Sequence, residues 1–221
     1  GLIAGQTVRF LEQFGNAPFA LWVSIPDPHT PYECPERYAI APEDVAMPPW
    51  REDEYSDGTA AERNRVLHAM IGVEDDPIEH VKRCVGVYHG MVRFLDDGVG
   101  QILDALDRLE LRENTIVIFM SDHGEMLGDH GLILKGCRFY EGLMRVPLMI
   151  SWPGHFSADV VSDALVELMD LVPTFYDVLE MEMPYWMQGK SLLPVLKGDT
   201  ERLRDFVRTE ISGAIAYPDQ T

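Results

Sequence analysis

Short, almost unbroken apolar runs set the strongest limit on how this chain can fold. They are Phe19-Ala-Leu-Trp-Val-Ser-Ile25, Thr115-Ile-Val-Ile-Phe-Met120 and Val146-Pro-Leu-Met-Ile-Ser151. Each is too short for a buried helix and lacks the alternation of a half-exposed strand, so each reads as a strand covered on both faces. A helical pattern over roughly Gln6–Phe14 precedes the first run. A long one over about His80–Glu110 precedes the second, and one over about Leu165–Leu179, interrupted by Pro173, follows the third. A last strand is expected over Phe206–Ser212. Helices alternating with continuous apolar strands predict an α/β/α sandwich with a largely parallel central sheet.

Within the long helix, Tyr88, Val92, Leu95, Val99, Ile102, Leu106 and Leu109 recur in steps of four and three and share one stripe. A single stretch of this spacing packs on a sheet more often than it forms a coiled coil. Gly86, Gly90, Gly98 and Gly100 weaken the helix and predict a bend or break. Seven of the fifteen prolines lie between Pro26 and Trp50, with Pro18 just before, which excludes helix and inner strand over Pro26–Trp50 and predicts an extended loop of the kind that lines sites. The polar stretch Arg51–Arg65 after it carries no signal.

The 221 residues are 46% hydrophobic and 25% charged, the proportions of a globular protein. A net charge of −19 opposes nucleic-acid binding. An anionic ligand would need a locally positive site, made by a bound cation with a few Lys, Arg or His residues. No apolar run approaches the roughly 18 residues of a membrane span. Cys34, Cys84 and Cys137 are too few and too scattered for a disulfide framework or a zinc knuckle.

Ligands of open α/β sheets lie beyond the carboxyl ends of strands. Two polar clusters fall there: Pro26-Asp-Pro-His29-Thr-Pro31 and Ser121-Asp122-His123-Gly124-Glu125, continuing to Asp129-His130-Gly131. Asp122 and His123 are a carboxylate and an imidazole that a turn at Gly124 would converge on one cation. The plainer reading has Asp122 capping a helix and His123 bonded to backbone. Lys135 is either a surface lysine or a group that neutralises an anionic oxygen. His29 either caps its turn or serves an anion as hydrogen-bond donor or proton donor to a leaving group.

In this order the residues resemble the sulfatase family of the alkaline phosphatase superfamily. The resemblance rests on Phe119-Met-Ser-Asp-His-Gly-Glu-Met-Leu-Gly-Asp-His-Gly131, then Lys135-Gly136, Tyr140-Glu141 and Arg145-Val-Pro-Leu-Met-Ile-Ser-Trp-Pro-Gly154. Phe19–Pro31, Tyr88–Leu106, Asp170-Leu-Val-Pro-Thr174 and Gly189-Lys-Ser-Leu-Leu-Pro194 extend it over nearly the whole chain. The Asp-His pair with Gly-Asp-His behind it is closest to the branch of phosphonate monoester hydrolases, choline sulfatases and iduronate-type sulfatases.

The resemblance implies that Asp122 and His123 ligate a divalent metal, calcium first and manganese second. It implies that Lys135 contacts the sulfate and that His29 sits beside the leaving group or a sulfate oxygen. Glu125 and His130 are supporting residues. The family's nucleophile is a formylglycine made from the first residue of Cys-x-Pro-x-Arg or Ser-x-Pro-x-Arg. Cys34-Pro-Glu-Arg37 and Ser24-Ile-Pro-Asp-Pro28 do not fit that pattern, and Cys84 and Cys137 are not followed by proline. Residues 1–221 therefore read as the C-terminal portion of a catalytic domain, with the nucleophile segment and an N-terminal Asp pair expected upstream and the last subdomain cut short after about residue 212.

The expected activity is sulfuric ester hydrolysis on a small-molecule or saccharide sulfate, with no nucleic-acid partner and no membrane span. The alternatives are phosphonate or phosphate ester hydrolysis in the same superfamily, or a non-catalytic domain with a vestigial metal site.

Overall fold

The computed structural model describes residues 1–48, 77–135 and 138–210. The Arg51–Arg65 stretch, Gly136, Cys137 and the residues from Ile211 onward lie outside the described residues. The chain forms two compact units, one of Gly1–Leu111 with Glu125–Gly136, the other of Arg112–Gly124 with Cys137–Thr221.

The first unit is built on two helices, α1 (Leu2–Phe14) and α2 (Pro77–Arg108). Ala4, Thr7 and Leu11 recur at helical spacing and form the buried stripe of α1. The 32-residue α2 runs unbroken through its glycines, contrary to the expected bend. Its glycines are contact points: a Cβ at Gly86 would lie 2.2 Å from the Ile40 carbonyl oxygen, and one at Gly90 2.5 Å from Cys34 Sγ. The helix approaches Ile40 and Cys34 where it carries no side chain, and its fully buried residues only partly coincide with the expected stripe. Leu106 of the predicted stripe is buried, as are Val81, Val85, Met91 and Ala105 outside it, whereas Val92 of the stripe is 42% exposed.

The proline-rich stretch is a loop as expected, tightened by 3-10 turns at Glu36–Tyr38 and Pro42–Asp44. Its apolar end is anchored on α2: Val45 packs with Val81 and Val85, joined by Ile40, Met47, Leu127 and Ile133. The Phe19–Ile25 run is not a strand among the described residues, and Trp22 is 76% exposed. A strand needs a ladder partner as well as an apolar sequence, and no described strand pairs with this run.

In the second unit β1 (Val117–Met120) and β2 (Leu148–Ser151) pair antiparallel, with Val117 opposite Ser151 and Met120 opposite Leu148. The described sheet thus departs from the parallel order expected. A parallel pair needs a crossover of a dozen or more residues, usually helical. The described helices between β1 and β2 are a 3-10 turn at Asp129–Gly131 and the four-residue α3 (Glu141–Met144). Both strands are half-buried rather than sealed, and Met149 is exposed. The helix expected over Leu165–Leu179 is a 3-10 turn at Leu168–Asp170 leading into α4 (Leu171–Val178), followed later by α5 (Leu193–Leu196). Pro173 fits the first turn of α4, where a missing N–H costs nothing. No strand forms over residues 206–210.

The heart of this unit is ionic. Asp170 is fully buried. Its carboxylate accepts the backbone N–H of Glu167 at 2.7 Å and of Lys190 at 2.8 Å, and the Arg204 guanidinium at 2.6 Å. Arg204 also pairs with Glu167, whose carboxylate accepts the Arg208 N–H at 2.6 Å. Thr174 Oγ1 donates to the Asp170 carbonyl and accepts the Leu192 N–H. The buried carboxylate is thus hydrogen-bonded and charge-paired, which is what its burial requires.

Candidate functional site

The turn after β1 places Asp122 and His123 side by side, although neighbouring side chains of a regular strand diverge. His123 N–H donates to Asp122 Oδ1 at 2.9 Å, and Ser121 Oγ donates to the His123 carbonyl at 2.8 Å. His123 Nδ1 lies 2.8 Å from the Gly124 carbonyl oxygen. A carbonyl only accepts, so Nδ1 carries the proton and Nε2 keeps its lone pair. That arrangement holds the imidazole with Nε2 as the nitrogen able to accept a proton or a cation.

Asp122 Oδ2 and His123 Nε2 stand 3.9 Å apart. Two ligands at about 2.0–2.5 Å from one ion are separated by roughly 3–4.5 Å. The pair therefore fits two positions of a ligand set, and the open Asp122 side chain, 86% exposed, suits a donor awaiting a ligand. Among the described residues no third His, Cys, Asp or Glu joins them.

Gly124 acts differently from the sharp turn expected of it, since its φ is not positive. A Cβ there would fall 1.9 Å from the Gly142 carbonyl oxygen, and Gly124 N–H donates to Leu143 O at 2.9 Å. The glycine lets the turn after β1 lie directly on the backbone of α3.

Glu125 to Lys135 belong to the first unit. Met126 N–H donates to Leu134 O at 3.1 Å and Gly128 N–H to Leu132 O at 2.7 Å, so the loop doubles back on itself and delivers Lys135 at its end. Met126 and Leu132 are buried beneath it. Leu127, His130 and Leu134 all adopt positive φ (46°, 55° and 66°). Non-glycine residues in that region cost about 1 kcal/mol or more each and persist where surrounding structure holds them, often at functional sites. Lys135 is half-buried with partners of its own. His130 is part of the turn and also has partners.

His29 sits exposed in the turn after Pro26, to whose carbonyl its N–H donates at 2.9 Å. Asp27-Pro28 and Thr30-Pro31 are cis. His29 Nδ1 donates to Thr30 O at 2.6 Å, again leaving Nε2 as the basic nitrogen. His29 and His123 are thus set in the same tautomer by the same local device.

Sequence reasoning missed Tyr32 and assigned Tyr88 only to packing. Their rings meet edge to face at 6.0 Å. Burial, then the nearby Glu125 carboxylate, holds both phenols above the usual tyrosine range, which keeps them protonated hydrogen-bond donors. The position of Tyr32, directly after Pro31 in the His29 turn, is the only signal the sequence carries.

The sulfatase family signature matches residues 2–181. The chain is 30% identical to an arylsulfatase of Clostridium perfringens over 95% of its own length and 44% of that protein. It is 32% identical to a choline-sulfatase of Rhizobium meliloti, over 87% of the chain and 38% of that relative. Among solved structures, the phosphonate monoester hydrolase of Agrobacterium radiobacter superposes with a TM-score of 0.76 at 29% identity, over 88% of this chain and 41% of that one. The chain therefore spans less than half the length of these relatives. Their folds place it in the α/β class, and the extent of the match shows that the chain belongs to the sulfatase family of the alkaline phosphatase superfamily.

Proposed function

We propose that this chain supplies the metal-binding and anion-binding half of a sulfuric ester hydrolase. The observation that carries the reading is the Asp122–His123 pair, with Oδ2 and Nε2 3.9 Å apart and Nδ1 committed to backbone. Asp122 and His123 hold a divalent cation, calcium first and manganese second. Carboxylate oxygen favours the harder ion, and the imidazole nitrogen keeps manganese in play. Bound there, the cation supplies positive charge against the developing charge on the ester oxygens. It also answers the problem posed by a net charge of −19, which otherwise repels an anionic substrate.

Lys135 donates to a non-bridging oxygen of the sulfuryl group. His29, protonated on Nε2 during turnover, donates to the leaving oxygen or to a sulfate oxygen. The covalent nucleophile has no counterpart in these 221 residues, where no Cys-x-Pro-x-Arg or Ser-x-Pro-x-Arg occurs. The residues named bind and polarise the ester, and bond formation to sulfur belongs to the remainder of the family domain.

A second reading is supported by the likeness to the phosphonate monoester hydrolase. Tetrahedral phosphonate presents the same kind of oxyanion to the same donors. The full-length enzyme should be assayed on an aryl sulfate and an aryl phosphonate, with calcium or manganese added after chelation. Metal-dependent turnover is expected, with the sulfate ester preferred. Asp122→Asn and Lys135→Ala should each reduce kcat/KM by about 10²–10³-fold, the size of one lost contact to developing charge. Wild-type turnover in both variants removes these residues from the site. A preference for the phosphonate makes the second reading the correct one.

A further inference from the structure

His80 and Cys84 stand four residues apart on α2, on the same face of adjacent turns. Cys84 Sγ and His80 Nε2 meet at 3.7 Å. The next residues along, Val81 and Val85, are buried in the core of the first unit. His80 and Cys84 flank that stripe and are only half-buried, so both keep part of their surface in solvent. Cys34 is set differently. Its Sγ occupies the space that a Cβ at Gly90 would need, and burial pushes its thiol up. The thiolate is the form that binds metal, so a thiol held neutral in that way is a weak ligand.

The sulfur–nitrogen separation matches the bite of a tetrahedral ion. Zinc binds thiolate sulfur at about 2.3 Å and imidazole nitrogen at about 2.0–2.1 Å, so a tetrahedral angle sets the two ligands about 3.5–3.6 Å apart. We propose that His80 and Cys84 form a two-ligand site for zinc, or a divalent metal of similar softness, on the first turns of α2. Cys84 loses its thiol proton to solvent, Sγ and Nε2 bond to the ion, and water completes the tetrahedron. Among the described residues no third His, Cys, Asp or Glu joins them, so the ion is held open and exchangeable rather than caged. The net charge of −19 favours the approach of any cation. Asp122 and His123 belong to the other unit, and a hard ion such as calcium takes oxygen ligands rather than sulfur. The two pairs therefore take different classes of metal, and neither reading depends on the other.

The test uses cobalt(II) as an optical stand-in for zinc, added to the chelated and reduced full-length enzyme with calcium at saturation. Charge transfer from a thiolate to cobalt absorbs in the near ultraviolet, whereas carboxylate and imidazole ligands give no such band. Wild type should develop the band, and excess zinc should erase it. Cys84→Ser should lose it. His80→Asn should need more than about 10-fold more cobalt to reach the same absorbance, since even partners behind a metal ligand are worth that much. Asp122→Asn should keep the band, whatever becomes of its calcium affinity. Absence of the band in wild type overturns the inference. So does a band undiminished in Cys84→Ser, which would come from another thiol. Should Cys84→Ser fail to fold, alkylation of wild type decides the question by peptide mass mapping. Zinc should protect Cys84 from the reagent, and equal labelling with and without zinc overturns the site.

Discussion

Asp170 and Asp122 are aspartates of the same unit in opposite surroundings. Asp170 is fully buried, with two backbone donors and one guanidinium on its oxygens. Asp122 is 86% exposed, and its hydrogen-bond and ion-pair contacts both come from the next residue, His123. The first carboxylate joins segments distant in the chain, since Glu167, Lys190 and Arg204 all meet on it. The second organises only its own turn. A carboxylate saturated by protein donors has little left for a ligand. One that faces solvent beside a tautomerically fixed imidazole keeps its lone pairs and pays little desolvation. The contrast separates an acid whose oxygens are taken up by the fold from an acid whose oxygens stay open to solvent.

The largest effect that would break this contrast is on stability at Asp170. Asp170→Ala strands the buried Arg204 guanidinium with Glu167 alone and leaves two backbone N–H groups without their acceptor. Breaking a buried ion pair from one side costs about 3–5 kcal/mol. Urea unfolding of Asp170→Ala should therefore show a loss of that size, and a wild-type midpoint would mean that the network is ornamental.

This difference between the two aspartates was only half legible in the sequence. Asp122 stood out because it follows an apolar run and precedes His123-Gly124, all within a few residues. The Asp170 network is invisible there because its partners lie 20 and 34 positions away, and no local pattern links them. The same limit explains the rest of the fold. The span of α2 was readable from local periodicity. Its buried face was legible only in part, because the close approaches at Gly86 and Gly90 depend on what packs on them, Ile40 and Cys34. The Phe19–Ile25 run has the composition of a strand, but pairing is a property of two segments, and periodicity reports only one. Antiparallel pairing of β1 with β2 is likewise a property of the two segments together, which neither run shows alone. Asp122, His123, His29 and Lys135 were picked out by their places after apolar runs and by the family pattern, while the edge-to-face meeting of Tyr32 with Tyr88 needed three-dimensional proximity.

A smaller effect sharpens the comparison at Gly124. A Cβ there meets the Gly142 carbonyl oxygen at 1.9 Å and Leu143 Cα at 3.1 Å, both backbone atoms that cannot rotate away. Forcing an added methyl into a packed contact costs about 1–3 kcal/mol. Gly124→Ala should lose that much stability and, because the turn must lift off α3, weaken calcium binding as well. Asp170→Ala compared at temperatures where it remains folded should retain its calcium affinity. Loss of affinity in Asp170→Ala and not in Gly124→Ala would reverse the assignment of the two regions.

The smallest expected effect is the most discriminating. In Asp122→Asn the amide oxygen can still accept the His123 N–H that Asp122 Oδ1 accepts at 2.9 Å, so the turn survives while the charge is removed. Exposed substitutions away from caps and buried networks usually change stability by under about 0.5 kcal/mol. In metal-free buffer the variant should unfold within that margin of wild type. Adding calcium should then separate the two proteins. A ligand that binds only the folded state stabilises it by about 2.7 kcal/mol at 100 times its Kd. Wild type should gain that increment, and Asp122→Asn, with one charged ligand fewer, should gain less at the same calcium concentration. Equal gains would show that the cation binds elsewhere, and a large loss in metal-free buffer would show that Asp122, like Asp170, serves the fold.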